Sequence, residues 1–169
     1  MSARQEEAVR AFIAELDDDA RPMYENLLEC LLALGYHAQK ERSYFSFKHD
    51  LHRKQMAKMG LRNGKAPKSF FALRFSACRA LSPRFEVIVA EAIVKSPSKT
   101  PGCLQGMCSF CRGLPETHIY THAFADGDVR HHCGAYALEI PDMTPGDLPE
   151  LAALIRQAHA YLLAEEAEA

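Results

Sequence analysis

Long apolar runs are missing from this chain. Its hydrophobic stretches last only a few residues, against the roughly 20 needed to cross a bilayer. The opening MSARQEEAVR carries charge where a secretion signal needs an apolar stretch. These absences predict no membrane association and a cytoplasmic location, and a reducing compartment makes structural disulfides an unsuitable explanation for cysteines. Internal repeats and low-complexity tracts are absent too, which excludes solenoid and fibrous classes. No HExxH is present to mark a zinc hydrolase. Gly60-Leu-Arg-Asn-Gly64-Lys65-Ala66 has three residues between its glycines and alanine after lysine, so it fails as a phosphate loop and reads as a hairpin connection.

Acidic residues are scarce in one region. Between Lys40 and Arg84 twelve Lys and Arg face only Glu41 and Asp50, so a chain of net charge −2 carries a +10 segment and −12 elsewhere. Such segregation predicts an anion-binding face. Lys54, Lys58, Arg62, Lys65 and Lys68 are its candidate residues, with Tyr44, Phe45 and Phe47 as aromatic neighbours able to stack on bases. Nucleic acid or another polyanion is the expected partner class. The competing reading makes Phe45 and Phe47 core residues and sets the basic strands beside the acidic helices.

The chain has 48% hydrophobic and 25% charged residues, which suits one globular domain spanning 1–169. Val9, Phe12, Ile13 and Leu16 recur at helical spacing after a Ser2–Gln5 capping-box pattern. A second helix follows Asp17-Asp18-Asp19 and Pro22, with Tyr24, Leu27, Leu28, Leu31 and Leu32 as its stripe and Gly35 as its end. Alternation predicts strands around Phe45 and Phe47, Ala57 to Leu61, and Phe71 to Ala77, the last two joined at Asn63-Gly64. Ser82-Pro83 opens a third helix ending near Lys95. Thr117–Phe124 and Val129–Ile140 form a hairpin around Asp126-Gly127, and a last helix buries Leu148, Leu151, Ile155, Ala158 and Leu162. The order ααβββαββα predicts an α+β fold, an antiparallel sheet of about five strands packed with helices. A Cys-rich loop at 96–116 is inserted before the last hairpin.

That loop carries the densest chemistry. Three of the six cysteines fall within Cys103-Leu-Gln-Gly-Met-Cys108-Ser-Phe-Cys111, and Cys133 follows His131-His132. A Cys-x-x-Cys turn presents two sulfurs to one ion, and four thiolate or imidazole ligands close a structural zinc site. Cys103, Cys108, Cys111 and Cys133 are the expected ligands, with His131 or His132 as alternates. With a two-residue turn, His122 pairs with His131 and Tyr120 with Cys133. His118, His122, His131 and Cys133 then share a face usable by a zinc-dependent enzyme; a one-residue slip swaps His131 for His132. Cys30 and Cys78 read as small buried hydrophobes. The reading favours a small zinc-binding interaction module over an enzyme, with no catalytic residue assigned.

The spacing Cys103-x4-Cys108-x2-Cys111 with a distant Cys133 also resembles the plant-type ferredoxin ligand pattern. Gly106, Ser109, Gly113 and Cys133-Gly-Ala-Tyr136 add to that likeness, which covers about fifteen residues and lacks the leading strands of the ferredoxin fold. It implies a [2Fe–2S] cluster and electron transfer as the alternative to zinc.

Overall fold

The structure is a computed structural model and describes residues 3–62, 68–96, 102–105, 108 and 118–167. Two helices open the chain, α1 (Ala3–Ala14) and α2 (Arg21–Ala33). Between them the Asp17 carboxylate accepts the Ala20 N–H at 2.7 Å, and Pro22 sits where no helical N–H is needed. The α2 stripe is buried as its spacing requires: Met23, Tyr24, Leu27, Leu28 and Leu31 all face the interior. Gly35, at φ +83°, ends the helix in the left-handed region, and its N–H reaches the Leu32 carbonyl at 2.9 Å.

That turn feeds directly into a strand that the sequence pattern does not reveal. The main sheet is antiparallel in the order β1-β2-β3-β4-β7, from Tyr36–Lys40, Tyr44–His49, Gln55–Arg62, Lys68–Leu73 and Leu138–Glu139. Its register places Ala38, Phe47, Ala57 and Leu73 in one cross-strand row, and Phe45, Met59 and Phe71 in another. All seven are buried, so Phe45 and Phe47 are core residues and are not available to stack on bases. Phe12 of α1 meets Phe45 with ring centroids 5.7 Å apart. β4 stops at Leu73, short of the expected Ala77, and Phe75 passes beneath to pack on Phe85 and Tyr120.

α3 (Pro83–Lys95) and α4 (Leu148–Ala167) complete the helices. They are tied at their starts, where the Ser82 N–H donates to the Glu150 carboxylate at 2.9 Å. A short 3-10 turn, Pro145–Asp147, precedes α4. There Asp147 accepts the Thr144 N–H at 2.8 Å and pairs with Arg84 at 2.8 Å. The α+β class is as the pattern of elements requires. Among the described residues no helix is long and apolar enough to cross a membrane. The proposed capping residue Ser2 and the Asn63-Gly64 turn lie outside the described residues, although β3 and β4 do pair from Arg62↔Lys68 onward.

The last hairpin forms a sheet of its own, β5 (Ile119–Ala123) against β6 (Val129–Cys133), beneath α3. Its register corrects the expectation by one residue: Tyr120 pairs with His132, Thr121 with His131, and Ile119 with Cys133. The cause is a three-residue loop. Gly127 takes φ +86° and donates its N–H to Phe124, while the Phe124 N–H reaches Asp128, both at 2.9 Å. The expected continuous strand to Ile140 is likewise broken after Cys133, where the chain turns and crosses to β4 as β7. Gly134 makes that turn possible, since a Cβ there would lie 1.7 Å from the His118 carbonyl oxygen.

Two glycine substitutions separate these effects. Gly134→Ala should cost roughly 3 kcal/mol or more, because backbone must move. Gly127→Ala, with open space around it, should cost only the left-handed strain of about 1–2 kcal/mol. Equal losses in urea unfolding would contradict the close approach at Gly134.

Candidate functional site

Cys133 comes near enough to Cys103 and its sequence neighbour Cys108 for their charges to be felt at Cys103. Cys103 sits half-buried in the 3-10 turn Gly102–Gln105, Cys108 is exposed, and Cys133 ends β6 half-buried. A Cβ on Gly102 would be 3.7 Å from the Cys108 Cβ, so the turn lies against Cys108. Burial pushes the Cys103 thiol up, and the negative charges of Cys133 and Cys108 push it further. Cys111 lies outside the described residues. Among the described residues, no group of three or more His, Cys, Asp or Glu side chains is arranged to hold a metal ion.

The observed register divides the expected histidine face. His131 lies on the Cys133 side of the hairpin and contacts the Thr121 hydroxyl at 3.0 Å through Nδ1. His132 lies on the opposite side between Tyr120 and Tyr136, with centroid separations of 6.2 and 5.3 Å. It lines a 480 Å³ cleft between α3 and the β6–β7 turn. His122 packs edge-on against Phe124. The strand order therefore does not assemble His118, His122, His131 and Cys133 on one face. His118 differs from the others: it is 2% exposed and neither ring nitrogen has a hydrogen-bond partner among the described residues. A buried imidazole without a partner is costly, and ligation is one way to satisfy it.

Cys30 and Cys78 stand apart. Cys78 is buried, its thiol directed at the Leu154 carbonyl at 3.5 Å and pushed up to about 11 by burial. Burial also raises the Cys30 thiol. Both behave as packing residues with little thiolate character.

The basic segment is partly neutralised where it folds. Arg62 pairs with Glu139, and Lys68 reaches Asp142 at 2.6 Å. Lys58 projects beside Tyr44, its Nζ 5.4 Å from the ring centroid. Lys65 lies outside the described residues. Acids on β7 and in the turn after it thus answer the charge on β3 and β4, whereas the competing reading of the sequence had looked to the acidic helices.

A second cluster was not anticipated. Tyr36, fully buried at the start of β1, places its hydroxyl 3.2 Å from His52 Nε2 and 3.2 Å from His159 Nδ1. The Lys54 N–H donates to His52 Nδ1 at 3.1 Å, so the neutral ring carries its proton on Nε2 and donates to Tyr36. Tyr36 then donates to His159. His49 stacks on His52 with centroids 4.8 Å apart and lies 5.4 Å from His159. Burial lowers His52 to about 4, helped by the positive charge of His49, His159, Lys54 and Arg74; burial also lowers His159. Nothing in local spacing reveals this cluster, because its members come from β1, the β2–β3 turn and α4.

No family model, no curated protein and no solved structure matches the chain.

The histidine cluster has a pH signature. His52 binds its proton less readily folded than unfolded, so its contribution is complete above about pH 6.5 and is lost as pH falls toward 4. Up to about 3 kcal/mol of unfolding free energy should disappear across that window. His52→Gln, which keeps a donor for Tyr36, should remove most of this slope. An unchanged slope in urea titrations of the variant would contradict the assignment.

Proposed function

We propose that Cys103, Cys108, Cys111 and Cys133 hold a structural zinc ion, and that the protein acts as a binding or interaction module built around the loop this ion fixes. The observation that carries the reading is the neighbourhood of Cys103, Cys108 and Cys133, drawn together from positions up to thirty residues apart. Cys108-Ser-Phe-Cys111 supplies the sequence spacing that lets a second sulfur join the first. The donor set fits zinc, since soft thiolates suit it and a divalent cation offsets both the burial and the neighbouring sulfur charge that raise the Cys103 thiol. His131, on the same side of the hairpin as Cys133, is the alternate imidazole for a fourth ligand.

A sulfur-rich, four-ligand set leaves no open position for water, which favours a structural over a catalytic role. The zinc would pin the segment after α3 to the end of β6, using metal ligation where apolar packing is sparse. The alternative within the same ligands is a [2Fe–2S] cluster, supported by the Cys-x4-Cys-x2-Cys spacing.

The purified full-length protein should carry about one zinc per chain and be colourless. Cys108→Ser should lower both metal content and melting temperature. Iron with charge-transfer colour would replace zinc by the cluster, and unchanged metal content and melting temperature in the variant would refute the structural role.

A further inference from the structure

Three imidazoles around Tyr36 share one feature: each commits a ring nitrogen to accepting a proton donor. His49 Nδ1 accepts the Leu51 N–H at 3.2 Å, and His52 Nδ1 accepts the Lys54 N–H at 3.1 Å. His159 Nδ1 lies 3.2 Å from the Tyr36 hydroxyl, whose oxygen already receives the proton on His52 Nε2. An imidazolium has two N–H donors and no acceptor, so each of these bonds exists only with a neutral ring. Protonating His49 or His52 sets a ring N–H against a backbone N–H. Protonating His159 leaves the proton of the buried Tyr36 hydroxyl without its acceptor.

The two backbone bonds close the same turn. His49 and His52 each reach the amide two residues on, and the Arg53 N–H adds a bond to the His49 carbonyl at 2.9 Å. Arg53 is held at φ +52°, a left-handed conformation that strains a residue with a side chain, so the turn relies on these bonds to keep its shape. His49 and His52 stack with centroids 4.8 Å apart, and His159 is 5.4 Å from His49, so a charge on one ring opposes a charge on the next. Tyr36 from β1, Lys54 in the turn and Arg74 at the end of β4 also face His52, while Asp50 of the turn bonds His37 at 2.8 Å.

We propose that the turn from His49 to Lys54, with its bridge through Tyr36 to α4, is an acid-opened latch: protons taken up by His49, His52 and His159 withdraw the acceptors that close it, and the turn leaves α4 while the sheet stays folded. His52 ordinarily titrates near 6.5 and is lowered by burial to about 4, so the closed turn has its full support above pH 6.5 and loses it as pH falls. Opening to solvent restores the ordinary value, which multiplies the open fraction about 30-fold by pH 5 from His52 alone. Burial lowers His159 in the same direction. The latch shares no residue with the cysteine site and stands independently of the zinc reading.

Amide hydrogen exchange of the full-length protein at pH 7.5 and pH 5, corrected for the intrinsic rate, tests the latch. Protection of the Arg53 and Lys54 amides should fall about 30-fold or more, while Met59 and Gly60 in the central strand β3 keep theirs. Asparagine can accept the amide two residues on through its side-chain carbonyl and carries no titrating group. His49→Asn combined with His52→Asn should therefore leave the protection independent of pH. Should the double variant not fold, imidazole nitrogen NMR titrations of the wild type decide the matter: ring protonation must share its midpoint with the loss of protection. Unchanged protection at the two pH values, an equal loss at Met59 and Gly60, or a loss that persists in the folded variant would each overturn the proposal.

Discussion

The close approach of Gly134 to the His118 carbonyl is the constraint on which the candidate metal centre depends. Any side chain at 134 would occupy that oxygen's position, so the chain leaving Cys133 must lie flat against the chain entering β5. The Ser76 hydroxyl donates to the Gly134 carbonyl at 3.0 Å and fastens the same point to the segment after β4. Tyr120 reinforces it, accepting the Phe75 N–H and donating to the Tyr136 carbonyl, both at 3.0 Å. These bonds fix where β6 ends and hence where Cys133 stands. They also leave the His118 ring buried beside the junction, so one backbone contact sets the positions of a thiol and an imidazole together.

A second network performs a comparable task at the other end of the molecule. Tyr36 links the β2–β3 turn to α4 through two imidazoles, and it works only while both rings remain neutral acceptors or donors of the right kind. Arg74 and Lys54 add charge that makes neutrality the favoured state. Arg62, Lys68 and Arg84 meet Glu139, Asp142 and Asp147 in turn, so part of the +10 segment is compensated by folding.

The helices were legible because amphipathic spacing is a local property. Leu27, Leu28 and Leu31 of α2 and Ile88, Val89 and Ile93 of α3 are buried in the order their periodicity requires. The strand β1 was not legible, because Tyr-His-Ala-Gln-Lys is short, mostly polar and buried only at Tyr36 and Ala38. Hairpin register hinged on a single loop residue, since Asp126-Gly127 suits both a two-residue turn and the three-residue loop that forms. That one-residue difference moved His131 and Cys133 to the side opposite Tyr120. The Cys103, Cys108 and Cys111 spacing is local and visible in the sequence, whereas the Tyr36 cluster joins residues 36, 49, 52, 74 and 159 and belongs to tertiary structure only.

Zinc K-edge X-ray absorption on the purified full-length protein tests the cysteine site most directly. Thiolate ligation should give a first shell dominated by sulfur at about 2.3 Å, with at most one nitrogen near 2.0–2.1 Å. A shell of nitrogen and oxygen alone, or protein purified without zinc or iron, would contradict it.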